Sequence, residues 1–336
     1  MTTIERFKNV MDFKPTDRLP VIEFAPWWTL TIERWLGEGL PKEIQDAGEI
    51  RDYLGLDCYR QLWVTCIGED CPSPAYHGAG IIKNESDYDK ILPCLYPEKP
   101  LNISLLEKWA KSQKKGELVI WLTLEGFFWH PRVLFGIENH LYAFYDNGKL
   151  MKRINEDLSN FILNIIKQIC RICQPSFMTF AEDMSYNHGP MLSKDCFDEF
   201  LAPHYKCIVP VLKKYDIIPF VDSDGDVTAI IPWLKETGIE GILPLERQAG
   251  VDVAQIRSNH PKFKMIGAFD KTIMHLGENA MRKEFERLLP VMKTGGFIPS
   301  VDHQTPPDVS FENYKCYLSL LKEYCTKAME KYGQTF

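Results

Sequence analysis

The sequence predicts an α/β protein that folds as a single (β/α)8 TIM barrel, distorted in its N-terminal half, over residues 1–336. From about residue 176 onward, short apolar β-rich runs alternate with amphipathic helical segments, which is typical of parallel strands covered on both faces. Eight such strands can be placed along the chain, and its length suits one barrel. No strand leads into a glycine-rich phosphate loop, which disfavours a doubly wound sheet, the main alternative.

The predicted elements begin with a helix. Thr2-Thr3-Ile4-Glu5 has the pattern of a capping box and predicts a helix that ends near Met11. The predicted strands are Leu19–Phe24, Tyr59–Val64, Leu118–Leu124, Ser176–Met184, Ile217–Val221, Gly241–Glu246, Lys264–Phe269 and Gly296–Val301. The predicted helices of the second half are Lys194–Tyr215, Val227–Thr237, Val251–Asn259, Gly277–Thr294 and Ser310–Tyr332. Two long segments, Ala25–Ala47 and Gly68–Tyr96, are expected to form loops over the barrel mouth.

Composition limits the partners that the protein can have. The formal charge of -7 and the pI near 5.7 argue against a nucleic-acid partner, which would need clustered Lys and Arg. No apolar run reaches the length of a membrane span, and the N-terminus lacks a signal pattern. We therefore expect a cytoplasmic protein with neither a nucleic-acid nor a membrane partner.

The ten cysteines do not predict a disulfide scaffold, because that inference belongs to short secreted chains. Several lie inside apolar helical patterns, where reduced cysteine behaves as a small hydrophobic residue. Cys170 and Cys173 form a CxxC pair with no second pair to complete a zinc site.

The carboxyl ends of the predicted strands, which form the active face of a barrel, are rich in acidic residues. The set comprises Glu23, Glu125, Glu182, Asp183, Asp222, Asp224, Glu246, Asp270 and Asp302, with His303 beside the last. Any one of these acids could be a helix N-cap or a solvated loop residue. Together they predict a site that binds a cation, or that binds substrate hydroxyls and amines. We expect Asp222, Asp224 and His303 to converge and to be catalytic, with Glu246 beside them.

Two other groups of residues are candidates for substrate contact. Trp27 and Trp28 follow the first strand, whereas Glu125 and the aromatic run that contains Phe128 follow the third. The aromatic side chains either line a pocket for a flat or apolar substrate or pack as a lid, and both interpretations remain open.

The loop after the fourth strand supplies the last candidates. We expect Glu182, Tyr186 and Asn187 to line the cavity, since Gly189 allows the loop to turn sharply. Glu182 is the predicted general acid, because a carboxylate among other carboxylates has a raised pKa.

Four stretches resemble the uroporphyrinogen decarboxylase superfamily: RFKNVMDFKPTDRLPV, FAEDMSYNHGPMLS, DSDGDVTAIIPWLKETGIEGILPLE and GGFIPSVDHQTPPDVSFENYKCYL. This superfamily contains heme-pathway decarboxylases and corrinoid-linked methyltransferases, and the resemblance extends over almost the whole chain. It implies a distorted (β/α)8 barrel, in agreement with the strand pattern.

The resemblance also implies a metal site. Methyltransferases of this superfamily that use a thiol acceptor bind zinc through His-x-Cys after the fifth strand and Cys after the eighth. Aligned on Gly225, Asp222 and Asp224 fall on the His-x-Cys pair, and His303 falls on the last Cys. Without thiolates, the implied ligands Asp222, Asp224 and His303 suit zinc, manganese or iron bound through oxygen and nitrogen.

The sequence leaves three functions open. The first is a methyltransferase that moves a methyl group between a small substrate, such as a methoxylated aromatic, and a corrinoid carried by a partner protein. The second is decarboxylation of a porphyrinogen, but the arginine-rich loop of true decarboxylases is replaced here by IEFAPWWTLTIERWLG, with Trp27 and Trp28 in its place. The third is a non-catalytic ligand-binding barrel.

Overall fold

Parallel strands and flanking helices make up the fold in a computed structural model that describes residues 1–44 and 46–330. The strands are β1 (Tyr59–Val64), β2 (Val119–Glu125), β3 (Phe177–Ala181), β4 (Ser185–Tyr186), β5 (Gly189–Pro190), β6 (Ile218–Ser223), β7 (Gly241–Pro244), β8 (Lys264–Phe269) and β9 (Phe297–Val301). Seven of them form one sheet in the order β1-β2-β3-β6-β7-β8-β9, and every pairing in it is parallel. β4 and β5 form a separate antiparallel hairpin.

Helices connect the strands of the sheet. They are α1 (Thr3–Met11), α2 (Thr29–Gly37), α3 (Ala47–Tyr53), α4 (Glu85–Ile91), α5 (Ile103–Lys114), α6 (Trp129–Phe135), α7 (Ile137–Asp146), α8 (Gly148–Ile169), α9 (Lys194–Cys196), α10 (Ala202–Lys214), α11 (Ile231–Glu236), α12 (Val253–Asn259), α13 (Glu278–Met292) and α14 (Phe311–Lys327). β2, β3, β8 and β9 are buried at every residue, as expected for strands covered on both faces. The predicted α/β architecture with a parallel sheet is therefore confirmed.

The first predicted strand, Leu19–Phe24, is the main departure from the predicted barrel. The segment is buried, but among the described residues it pairs with no strand of the sheet, so seven strands stand where eight were predicted. Glu23 ties it to the far edge of the sheet, where its Oε1 accepts hydrogen bonds from the Val301 amide at 3.1 Å and the Ser300 hydroxyl at 2.8 Å. Side-chain hydrogen bonds thus replace a strand ladder at this position.

Glu23 is consequently a structural residue. Its carboxylate also accepts hydrogen bonds from the hydroxyls of Tyr314 at 3.2 Å and Tyr317 at 2.9 Å, both on α14. Burial raises the pKa of Glu23, although these four donors oppose the shift. One acid of the strand-end set therefore stabilises the fold and does not contact the cavity described below.

Most of the other predicted elements are confirmed with small changes in their ends. The capping box is present: the Glu5 amide donates to the Thr2 hydroxyl and the Thr2 amide donates to the Glu5 carboxylate. The predicted helix Lys194–Tyr215 is divided, because a π-helical turn at Phe197–Leu201 separates α9 from α10. The predicted end of the last helix, Tyr332, lies outside the described residues.

Two further observations concern the whole chain. Cys71 and Cys94 form a disulfide, whereas the remaining eight cysteines are free thiols. Within residues 1–44 and 46–330, no helix combines the length and the apolar character needed to cross a membrane.

Candidate functional site

A cavity of about 320 Å³ opens where the parallel strands end. Its walls come from β1, β2, β3, β6 and the segments that follow them, together with the ends of β7 and β9. The lining residues are Phe24, Ala25, Pro26, Gln61, Trp63, Trp121, Trp129, Ala181, Asp183, Asp222, Asp224, Pro244, His303 and Gln304. The lining therefore combines acidic and aromatic side chains, and no Lys or Arg is among these described residues.

Three carboxylates, those of Asp183, Asp222 and Asp224, share the acidic side. Burial raises the pKa of Asp222 well above its ordinary value, and its two acidic neighbours raise it further. Burial and the charge of Asp224 likewise raise the pKa of Asp183 to about 6. Carboxylates this close must share protons or face a cation.

Asp224 and His303 meet at the edge of this cavity. His303 Nε2 lies 3.4 Å from Asp224 Oδ2, and this hydrogen bond raises the pKa of His303. Asp224, Glu246 and His303 each offer one ligand atom, and the three atoms lie within 4.8 Å of one another. Of the predicted trio Asp222, Asp224 and His303, the structure brings Asp224 and His303 together, with Glu246 beside them.

Asp222 occupies a different position from the one expected of a metal ligand. It belongs to β6 and lines the cavity, but it is not part of the cluster of three ligand atoms formed by Asp224, Glu246 and His303. Asp224 follows the end of β6, where the chain turns toward β7, and this turn carries its carboxylate to Glu246. The sequence spacing could not separate the two acids, because both lie at one strand end.

Hydrogen bonds hold the Glu246 carboxylate in its position beside Asp224 and His303. Its Oε1 accepts hydrogen bonds from the Lys271 ammonium at 3.1 Å and from the side-chain amide of Gln248 at 3.1 Å. Its Oε2 accepts from the Gly225 amide at 3.0 Å. Lys271 therefore balances part of the negative charge at this edge of the cavity.

The geometry of the acidic turn after β6 requires a glycine at position 225. Gly225 has a φ of +80°, and a Cβ there would lie 2.7 Å from the Cα of Tyr186.

Asp226, the last acid of this turn, caps it locally. Its carboxylate accepts a hydrogen bond from the Thr228 backbone amide at 3.0 Å. The acidic run thus contains two cavity residues, Asp222 and Asp224, and one capping residue.

Asp302, another acid of the strand-end set, supports the backbone. Its carboxylate accepts from the amides of Arg247 at 2.8 Å and Lys271 at 3.1 Å, so it joins the segments that follow β7 and β8. Burial raises its pKa to about 6. Asp302 thus fixes the backbone at Arg247 and Lys271 and does not line the cavity.

Glu182, the predicted general acid, does not line the cavity. Its side chain is fully buried, and its carboxylate accepts hydrogen bonds from the backbone amides of Phe127, Phe128 and Trp129, at 2.8, 2.7 and 3.3 Å, and from the Tyr205 hydroxyl. Burial raises its pKa to about 7, while these four donors oppose the shift. The side chain anchors the start of α6, and the next residue, Asp183, occupies the cavity instead.

Tyr186 and Asn187 also lie outside the cavity. They form the tip of the β4–β5 hairpin, where both side chains are exposed. The Tyr186 carbonyl accepts from the Asp226 amide at 2.9 Å. The loop that contains Tyr186 and Asn187 therefore supports the acidic turn through its backbone. The exposed side chains of these two residues do not line the cavity.

The aromatic residues divide between packing and cavity. Trp27 is buried and packs edge-on against Tyr314, whereas Trp28 is 46% exposed and does not line the main cavity. Phe128 is fully buried against His140. Of the aromatic residues at or after the first and third predicted strands, Phe24 and Trp129 line the cavity, whereas the packing alternative applies to Trp27 and Phe128.

The cavity has aromatic walls that the sequence analysis did not select. Trp63 on β1 and Trp121 on β2 line it together with Trp129. A signal for Trp63 was available, since Gln61 and Trp63 are two apart in a strand and so face one side of the sheet.

Glu125 belongs to a different group of side chains. Its Oε2 lies 2.6 Å from Cys66 Sγ and 3.0 Å from His130 Nδ1, and none of the three residues lines the cavity. The described residues therefore contain two clusters whose side chains could hold a cation. The cluster of Asp224, Glu246 and His303 is at the cavity, and the cluster of Cys66, Glu125 and His130 is separate from it.

The donor atoms at the cavity test the zinc expectation. Two carboxylates and one imidazole form a hard to intermediate ligand set, which suits a divalent cation bound through oxygen and nitrogen. The set does not provide the two thiolates of a thiol-activating zinc site. Glu246 also forms an ion pair with Lys271, which balances part of its negative charge.

The sequence profile described as "Uroporphyrinogen decarboxylase (URO-D)" matches residues 133–324, which is more than half of the chain. The chain belongs to the uroporphyrinogen decarboxylase family. The match includes Asp183, Asp222, Asp224, Glu246 and His303, and it confirms the resemblance seen in the sequence motifs. Family membership supports an enzyme.

One of three similar solved structures shares the fold. A methyltransferase from Methanosarcina mazei is 14% identical, with a TM-score of 0.65 over 96% of this chain and 99% of that chain. A B12-independent methionine synthase from Shewanella sp. W3-18-1 in complex with selenomethionine is 11% identical, with a TM-score of 0.36 over 68% of this chain and 67% of that chain. The YdhT protein from Bacillus subtilis is 11% identical, with a TM-score of 0.41 over 90% and 88%. Only the first likeness is strong enough to compare folds.

Proposed function

We propose that this protein is a methyltransferase that takes a methyl group from a small methylated substrate and passes it to a corrinoid carried by a partner protein. The observation that carries the proposal is the cavity itself, which is small, walled by tryptophans and acidic, with no Lys or Arg among its described lining residues. The family membership and the shared fold with a methyltransferase support the same conclusion.

The second candidate function, decarboxylation of a porphyrinogen, agrees less well with this cavity. Such a substrate carries eight carboxylates, which require arginine or lysine partners. Asp183, Asp222 and Asp224 would repel it instead. A volume of about 320 Å³ also lies at the lower end of the range for small-molecule sites, which is too little for a tetrapyrrole.

The same volume bears on the corrinoid. A corrin ring is as large as a porphyrin, so it would stay outside at the mouth and take the methyl group from a substrate held in the cavity. This geometry favours a corrinoid held by a partner protein over one bound within this chain. When docked, the corrinoid supplies the nucleophile that takes the methyl group.

The residues of the cavity have distinct proposed roles. Trp63, Trp121 and Trp129 provide flat surfaces for a methoxylated aromatic or a methylated amine. When the bond from carbon to the leaving oxygen or nitrogen breaks, its electron pair stays on that atom, which then needs a proton or a positive charge. Asp224 and His303 lie where they could meet that atom and satisfy this need.

Two forms of this assistance remain within the proposal. A divalent cation held by Asp224, Glu246 and His303 would supply Lewis acidity to the leaving atom. Without a cation, the hydrogen-bonded pair of His303 and Asp224 would deliver a proton directly. Metal analysis of the purified protein separates the two forms.

The test is a demethylation assay with and without reduced corrinoid. The protein is incubated with a panel of methoxylated aromatics and methylated amines, and the demethylated product is measured. Product that depends on the corrinoid and disappears in His303→Ala supports the proposal. Release of carbon dioxide from a porphyrinogen, with no corrinoid-dependent demethylation, would replace it with decarboxylation.

A further inference from the structure

Cys66, Glu125 and His130 form a cluster that is separate from the cavity. Their exposed fractions are 1%, 8% and 0%, so solvent hardly reaches them. Cys66 Sγ lies 2.6 Å from Glu125 Oε2 and 3.1 Å from His130 Nδ1, and Glu125 Oε2 lies 3.0 Å from the same nitrogen. One sulfur, one oxygen and one nitrogen thus face a common point.

His130 is the basic side chain that contacts the Glu125 carboxylate. The hydrogen bonds of the Glu125 carboxylate go to Cys66 and His130, and no Lys or Arg among the described residues forms an ion pair with it. A carboxylate buried in this way needs a compensating positive charge.

The other nitrogen of His130 has a partner of its own. His130 Nε2 lies 3.2 Å from the Tyr96 hydroxyl, which in turn lies 3.1 Å from the Tyr88 hydroxyl. Tyr88 donates to the Asp157 carboxylate at 2.9 Å, so its oxygen is free to accept from Tyr96. Tyr96 then accepts from Nε2, so Nδ1 is the ring nitrogen that is available to bind a cation beside Cys66 and Glu125. Histidine ligands of metals are oriented by such a partner.

The backbone holds these side chains in register. The Tyr96 amide donates to the Cys66 carbonyl at 2.8 Å, and the Gly68 amide donates to the Cys94 carbonyl at 2.8 Å. The disulfide of Cys71 and Cys94 joins the same two segments. The segment that carries Cys66 is therefore attached to the segment that carries Tyr96.

We propose that Cys66, Glu125 and His130 bind a divalent cation, with zinc as the metal that sulfur, oxygen and nitrogen donors suit best. A tetrahedral ion with bonds of about 2.0–2.3 Å keeps its ligands roughly 3.3–3.6 Å apart. The three side chains would therefore spread by roughly 0.5 Å around the ion. This site would fix the segment after β1 to the end of β2 and the start of α6, next to Trp129 of the cavity wall. It does not depend on the methyltransferase proposal.

The experiment uses the full-length protein, stripped by a chelator and loaded with Co²⁺ in place of zinc. The site at Cys66 contains sulfur, whereas the cluster of Asp224, Glu246 and His303 contains none. A thiolate-to-cobalt charge-transfer band in the near ultraviolet therefore reports on the buried site alone. We expect the band at one equivalent of cobalt, and we expect Cys66→Ser to abolish it.

Controls make each outcome decisive. Cys173→Ser is the matched variant, since Cys173 is also buried but belongs to the CxxC pair; it should keep the band. If Cys66→Ser does not fold, Glu125→Gln and His130→Gln test the same band with the thiol intact. No thiolate band in the wild type, or a band that survives in Cys66→Ser or follows Cys173, would overturn the proposal. Loss of demethylation activity with the band intact would concern the cavity only.

Discussion

The adjacent residues Glu182 and Asp183 direct their carboxylates to different parts of the molecule. Glu182 accepts the amides of Phe127 and Phe128 at the start of α6, whereas Asp183 lines the cavity. Asp183 has a φ of +42°, a conformation that side chains rarely adopt, and the chain turns sharply there. Gly126 makes room for the buried carboxylate, since a Cβ there would lie 2.1 Å from the Glu182 carboxyl.

Glu182→Gln should lower the free energy of unfolding by about 3 kcal/mol. The substitution replaces one of the two buried carboxylate oxygens, which accept hydrogen bonds, with an NH₂ group that cannot accept them. Each oxygen of Glu182 accepts at least one backbone amide, so the glutamine NH₂ must face another donor in either orientation. Chemical denaturation at constant pH measures the effect. Glu199→Gln is the control, since Glu199 is exposed and forms only a surface ion pair with Lys152. Unchanged stability with lost turnover would restore Glu182 as the general acid.

The difference between these two acids marks the limit of the sequence analysis. Strand ends were predictable because buried parallel strands are continuous apolar runs, and β1 and β8 have the predicted bounds. Asp224, Glu246 and His303 could be brought together because parallel strands end at one edge. The direction of Glu182 could not be predicted, since its partners, the amides of Phe127 and Phe128, lie 55 and 54 positions away in the chain.

Two other features needed tertiary information. The segment Leu19–Phe24 is as apolar as a strand. Hydrogen bonds that the Glu23 carboxylate accepts from β9 and α14 nevertheless take the place of backbone pairing with a strand. The cluster of Cys66, Glu125 and His130 joins residues up to 64 positions apart. Cys66 and Glu125 follow consecutive strands of the predicted barrel, but His130 belongs to α6, and its contact with them depends on tertiary structure.

Asp224→Asn and His303→Ala should each reduce demethylation at least about 100-fold while leaving the protein folded. Both side chains lie at the cavity edge and are partly exposed, so their loss removes chemistry and little packing. If a cation is bound there, metal content should fall in parallel, and a chelator should reproduce the loss in the wild type. Asp226→Asn is the matched control, because Asp226 belongs to the same acidic turn but only caps it. Full activity in His303→Ala would exclude this cluster from catalysis.

Trp63→Ala should raise the KM for an aromatic substrate about tenfold, which corresponds to the loss of one aromatic contact of roughly 1.4 kcal/mol. Trp63 lines the cavity and is 51% exposed, so the fold should tolerate its removal. Trp28→Ala is the control, because Trp28 is similarly exposed but does not line the main cavity. Equal KM values for the two variants would remove the aromatic wall from substrate binding.

Trp27→Ala tests the packing role of the same region. The side chain is buried against Tyr314 and Trp35, so its removal should cost about 3–5 kcal/mol of unfolding free energy. Thermal denaturation measures the loss. A variant with normal stability and a raised KM would instead mean that Trp27 contacts the substrate.

His140→Leu should make the protein more resistant to acid. His140 is fully buried against Phe128 and Phe144, and neither ring nitrogen has a hydrogen-bond partner among the described residues. Burial lowers its pKa from 6.5 to about 3, so between these values the unfolded chain binds a proton that the folded protein does not. Stability is therefore present above pH 6.5 and is lost as the pH falls toward 3, by up to roughly 4 kcal/mol.

Leucine cannot titrate, so His140→Leu should escape that part of the loss, and its advantage over the wild type should grow steadily from pH 7 to pH 4. Urea denaturation at several pH values measures the difference. His260→Leu is the control, because His260 is partly exposed and lies 3.2 Å from the Lys235 ammonium, and its smaller downward pKa shift predicts a smaller advantage. Parallel stability curves for the wild type and His140→Leu would mean that the folded protein protonates His140 as readily as the unfolded chain does, and the buried, unpartnered imidazole would then have no part in acid denaturation.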